Sequence, residues 1–234
     1  MSQQTVNPYP DLGQQYPAGL AAIIAGLPTS PQISDLVTQV YDYFISVYYP
    51  TGVTPPTTQQ EEEIKSIIYT VINSYINGLV PSGKSALSPR TMGFVNMLIG
   101  PKVSLNVPIY LTNWIGDVED NISKAGLTAN EQRPLLMATE IGVAAYNYWR
   151  QQTLLGTGSK WNPYFVLNNN DYNSLPAWVA ASMEGALAGY AANMQGLNEP
   201  TINKETNTMW AALIGALTIA AGKVIFGWMR LFNS

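Results

Sequence analysis

Residues 209–232 read "MWAALIGALTIAAGKVIFGWMRLF", two dozen residues in which Lys223 and Arg230 are the only charges. A helix that is apolar on every side must be hidden from water, in a protein core or in a membrane. The segment before it, 175–196, is similar and carries Glu184 as its only charge. Whatever this chain folds into has to enclose these two segments.

Both segments carry small residues one turn apart. The first places Ala177, Ala181, Gly185 and Gly189 in one row, and the second places Ala212, Ala216 and Ala220 in another that continues to Gly227. Small residues at this spacing let two helix backbones come close. The link "GLNEPTIN" is short, so an antiparallel hairpin is expected. The other face of the last helix holds Trp210, Ile214, Leu217, Ile225, Trp228 and Phe232. Trp210 and Trp228 are about 27 Å apart at ~1.5 Å per residue, close to the ~30 Å thickness of bilayer hydrocarbon. Tryptophan at both edges suits an interfacial belt. Lys223 argues against a simple anchor, since a charge at mid-membrane costs roughly 2.5–3.5 kcal/mol on insertion scales. Glu184 lies nearer the connecting link than Lys223, so the two are not expected to pair directly.

The rest of the chain also reads as helices. An apolar helix follows Pro17 and closes at Gly26–Pro28. Ser30–Pro31 suggests the cap and first position of the next. Residues 59–78 carry Ile64, Ile67, Ile68, Val71, Ile72, Tyr75 and Ile76 at helical spacing behind Glu61–Glu63, where the helix dipole favours negative charge. Further helices are expected after Ser88–Pro89, from about Pro108 to Lys124, and after Thr128, whose capping box closes with Glu131. No alternating pattern supports a sheet. The expected fold is all-α: a bundle of about seven to eight helices ending in a Gly/Ala-rich hairpin. Its parts would be a helical bundle over 1–152, a long aromatic and Asn-rich loop over 153–174, and the hairpin over 175–234, together one compact unit. The two Asn-Pro-Tyr triplets, at 7–9 and 162–164, read as turns.

Composition restricts the chemistry. The chain has no cysteine and no histidine, so thiol catalysis, disulfides, histidine triads and histidine-ligated metals are excluded. Charged residues are 11% of the 234, against about 25% in an average globular protein. The net charge of −4 and the lack of a basic block give nucleic acid no hold. Gly78–Ser85, "GLVPSGKS", satisfies the G-x-x-x-x-G-K-[ST] pattern of a phosphate loop. It follows an amphipathic helix instead of a strand, and Pro81 removes one cradle N–H, so a helix-to-helix loop is the reading. Asp117, Asp120 and Asn121 share a helix face that reads as solvated. Glu140 and Glu184 are isolated carboxylates whose structural reading outweighs a general-acid role. The aromatic set Tyr146, Tyr148, Trp149, Trp161, Tyr164 and Phe165 packs the loop onto the core or lines a groove.

The opening "VNPYPDLGQQYPAGLAAII" and the stretch "LLMATEIGVAAYNYWRQQ" resemble small uncharacterised helical Bacteroidota proteins. Those have an N-terminal Asn-Pro-aromatic motif and Gly/Ala-rich C-terminal helices. Where histidine commonly follows their Gly-Gln step, this chain reads Gln15–Tyr16–Pro17. The resemblance implies kinship and no activity.

The expected function is non-catalytic, with no cofactor and no metal. The protein would associate with itself or with a lipid bilayer through the C-terminal hairpin, as a leaderless bacteriocin or toxin does. A self-assembling coat or filament subunit, or a soluble bundle with a binding role, are the alternatives. "MSQQTVNPYP" has neither the charged nor the apolar region of a secretory signal, so conventional secretion is not expected; membrane association and non-classical secretion both stay open.

Overall fold

The computed structural model describes residues 7–49, 54, 56–77, 87–99, 109–167, 175–196 and 204–227. These form nine α-helices and no strand: α1 Pro10–Gly26, α2 Ile33–Tyr48, α3 Thr58–Ile76, α4 Pro89–Ile99, α5 Ile109–Lys124, α6 Ala129–Leu155, α7 Asn162–Leu167, α8 Leu175–Gly196 and α9 Lys204–Phe226. The all-α bundle is what the periodicity predicts.

Several helix ends follow from their own residues. Thr57 caps α3, with its hydroxyl accepting from the Gln60 N–H and the Gln60 side chain closing the box. Thr128 and Glu131 do the same for α6. The Glu131 carboxylate also accepts from the Ser88 hydroxyl at 2.7 Å, so one side chain ties the start of α4 to the start of α6. Gly126 and Gly156 end α5 and α6 at positive φ (62° and 52°), a conformation that costs glycine nothing.

Two expected boundaries differ. α1 begins at Pro10 and runs straight through Pro17. Proline removes one helical hydrogen bond, but Leu12, Tyr16 and Leu20 lie on one buried face across it, and that packing outweighs the lost bond. α2 begins at Ile33, two residues beyond the expected start. Its cap is Gln32, whose backbone N–H donates to Asp35 at 2.7 Å, rather than Ser30.

α9 runs through the centre of the bundle. α8, α3, α1, α2, α6 and α7 all pack against it. The hairpin partner α8 lies antiparallel to it, with Gly185 against Gly215 and Gly189 against Ala211. α3 covers both helices through Ile67, Val71 and Tyr75, which meet Ala181, Ala188 and Ile219. Contacts of α9 with α1, α2, α3, α6 and α7 join the hairpin to the other described helices. The expected loop after residue 153 contains the last turn of α6, a 3-10 turn over Gly156–Gly158, and α7. Residues 168–174 lie outside the described residues.

Candidate functional site

The seam between α8 and α9 is made by backbone. A methyl group placed on Gly185, Gly189 or Gly215 would overlap main-chain atoms of the facing helix: Gly215 and Ala216 for the first, Ala211 for the second, Gly185 and Gly189 for the third. Backbone atoms cannot swing aside, so glycine is required at all three. Gly185 and Gly189 of the expected row both stand in this seam. Ala181, Ala212, Ala216 and Ala220 are buried, as a packing row should be. Two members of the row are corrected. Ala177 is exposed on the outer side of α8. Gly227 stands just past α9 with φ 61°, where it ends the helix. Ala211 and Gly215 were missed, although they too are small residues four apart.

The large face of α9 is covered by the chain's own helices. Ile214, Leu217 and Ile225 are buried, and Leu217 seats against Gly19 of α1. Trp210 meets Phe44 edge-on at 5.8 Å and Tyr48 at 5.6 Å, both from α2. In this arrangement Ile214, Leu217 and Ile225 are enclosed by the bundle and Trp210 is partly covered. Trp228 and Phe232 lie outside the described residues.

Few polar groups enter this core. Thr218 and Ser182 return their hydroxyls to the carbonyls of Ile214 and Trp178, each at 2.7 Å, the usual solution for a hydroxyl in an apolar helix. Glu184 is only 4% exposed. Its charge is felt at half-buried Lys223 on the facing helix.

At the end of the bundle where α1, α6 and α9 finish, aromatic rings close the core. Trp149 contacts Trp161 at 5.1 Å and Trp178 at 5.3 Å, and Phe165 stacks on Trp178 at 4.9 Å. The Trp149 indole N–H donates to the Tyr16 hydroxyl (3.2 Å), which shares a hydrogen bond with Ser182 (2.6 Å). The Trp161 indole donates to Tyr148 at 2.7 Å. Burial pushes the Tyr148 hydroxyl up to about 12 and the Tyr16 hydroxyl higher still. Both remain neutral hydrogen-bonding groups at physiological pH and cannot serve as bases. The sequence-predicted aromatic set packs this loop; the contribution of Tyr16 and Trp178, from distant helices, was missed. The Tyr164 hydroxyl donates to the Pro28 carbonyl at 3.3 Å, pinning α7 to the turn between α1 and α2.

The first Asn-Pro-Tyr triplet does more than turn. The Tyr9 N–H donates to the Asn7 side-chain carbonyl (3.1 Å). The Asn7 amide reaches Glu119 (2.8 Å), the Leu136 carbonyl (2.8 Å) and Thr139 (3.2 Å), and the Thr139 hydroxyl donates to Glu119 at 2.5 Å. This clamps the entry of α1 to α5 and α6. Beside it the Glu140 carboxyl lies directly on the backbone of Gly13. Burial, then the charge of Glu119, raise the Glu140 carboxyl above the usual range.

The remaining sequence candidates are dispersed. Asp120 pairs with Lys124 one turn on at 3.2 Å, and Asp117 and Asn121 are exposed. Among the described residues no three histidine, cysteine, aspartate or glutamate side chains gather as a metal site. Gly78–Ser85 lies outside the described residues. Compared with protein-family models, curated proteins and solved structures, the chain finds no match.

Proposed function

We propose that this is a non-catalytic, bacteriocin- or toxin-like helical protein that acts on a membrane. The α8–α9 hairpin is its membrane element, held in the bundle until it is released. The observation that carries this reading is α9 itself. Thr208–Phe226 is a 19-residue apolar stretch, long enough to cross hydrocarbon, and it is packed inside a coat of helices. The seam supports the reading too. It is formed between the two hairpin helices without help from the coat, so the pair can move as a unit with its closest contact intact. Mutual attraction of Glu184 and Lys223 lowers the cost of carrying both into a poorly solvating medium.

The absence of cysteine makes a clean test available. A disulfide between Gly19→Cys and Leu217→Cys, a contacting pair, would lock α9 to α1. The reduced double variant is expected to release dye from vesicles and the oxidised form to retain it, with release restored by reductant. Equal release in both forms, or none in either, overturns the proposal. A self-assembling coat or filament subunit is the second reading, favoured by a surface with few charges; concentration-dependent assembly without lipid would support it.

A further inference from the structure

We infer that the end of the bundle formed by the last turn of α6, the 3-10 turn and α7 is a docking surface for an anionic membrane. This inference rests on the membrane reading above and names the face that meets lipid first. The three most exposed large apolar side chains among the described residues are Leu154 (70%), Val166 (69%) and Leu155 (51%). All three belong to this end: Leu154 and Leu155 close α6, and Val166 sits on α7. α7 is seated there by Phe165, which packs on Trp178 and Trp149. α9 also packs against α7.

Charge identifies the occupant. Arg150 precedes Leu154 and Leu155 by about one turn, Lys160 falls between that pair and Val166, and both basic residues are exposed. No acidic residue occurs between Glu140 and Asp171, nor anywhere after Glu205, in a chain whose net charge is −4. Asp35, beyond the Pro28 turn, is engaged with the Gln32 backbone. A second copy docked by two-fold symmetry would set this basic patch against an identical basic patch, like charge facing like charge. A layer of anionic headgroups over hydrocarbon matches both components: aliphatic side chains enter the acyl boundary while lysine and arginine meet phosphate. Docking here would place lipid against the end where α9 finishes.

The test is flotation of the full chain with phosphatidylcholine vesicles, with and without phosphatidylglycerol. The wild type is expected to float with the anionic vesicles. Leu154→Ser/Leu155→Ser/Val166→Ser should weaken binding by at least about tenfold, with an unchanged circular-dichroism melting curve because these side chains are exposed. Arg150→Gln/Lys160→Gln should weaken binding by about fivefold per charge on anionic vesicles only. This second variant decides the matter if the first does not fold. The Gly19–Leu217 lock should leave flotation unchanged while abolishing dye release. Binding that is unaffected by either variant overturns the docking surface and leaves the hairpin proposal standing. Absence of vesicle binding by the wild type overturns both. A dimer abolished by the aliphatic variant, with no flotation, assigns the face to a second copy and overturns the lipid assignment.

Discussion

Two regions of the bundle hold helices together by opposite means. Along the α8–α9 seam, Gly185, Gly189 and Gly215 remove side chains so that backbone meets backbone. At the end near α7, side chains make the contact instead: Trp149, Trp161, Trp178 and Phe165 fill the core with rings and hydrogen bonds. The seam depends on shape alone. The ring cluster combines large buried area with a few polar contacts that fix its geometry. An interface of the first kind keeps its internal fit in water or lipid. One of the second kind is tied to the particular neighbours that surround it.

The largest expected effect breaks the ring cluster. Trp149→Ala should cost about 3–5 kcal/mol in denaturant unfolding, because it removes a ring in contact with Tyr148, Trp161, Phe165 and Trp178 and the partner of Tyr16. Gly189→Ala tests the seam and should cost about 1–3 kcal/mol by overpacking. The same change at Gly93 of α4, where an added methyl meets nothing within 4 Å, should instead stabilise by roughly 0.5–1 kcal/mol. If both glycine substitutions stabilise, the seam is not closely packed and the comparison fails. Tyr16→Phe leaves the ring cluster filled but strands the Trp149 N–H, while Ser182 keeps its bond to the Trp178 carbonyl. It should cost about 1–2 kcal/mol in the same assay, less than the loss of the ring.

The smallest effect asks whether a glycine facing a carboxyl behaves like one facing backbone. Gly13 faces Glu140, whose pKa is raised in the folded chain. The folded state therefore holds this proton to higher pH than the unfolded state. Its contribution to stability is complete below the unfolded value, about 4.3, and is lost as pH rises through the folded value. Glu140→Gln should melt higher than wild type at neutral pH. The gap should close as the pH falls through the carboxylate range. A gap independent of pH would mean that packing, not charge, sets the effect.

Local chemistry was legible in the sequence where a few adjacent residues decide the outcome. Thr128 with Glu131 marks a helix start because the capping bonds span three residues. Residues 64–76 reveal their buried face because the period is carried by many positions. Ser30–Pro31 misled because Gln32 with Asp35 satisfies the same backbone groups two residues later. The existence of the hairpin was legible, but its register was not. "AALIGAL" offers two small-residue rows, 211/215 and 212/216, and spacing cannot say which one faces the partner. α7, at six residues, is too short to show a period. Tyr16, Ser182 and Trp149 meet only in three dimensions, so no spacing along the chain announces them. The cover over Leu217 and Trp210 depends on how α1 and α2 pack, and composition alone left lipid equally acceptable.

The crowding of indoles beside α7 also makes the protein its own spectroscopic probe. Trp149, Trp161 and Trp178 are close enough for their electronic transitions to couple, so an intense near-ultraviolet dichroism band should mark the assembled end of the bundle. Trp210 sits apart, among the rings of α2, and the emission that Trp210→Phe removes should follow α9 separately. A shift in the emission while the dichroism persists would time the departure of the central helix before the ring cluster comes apart, with no label attached.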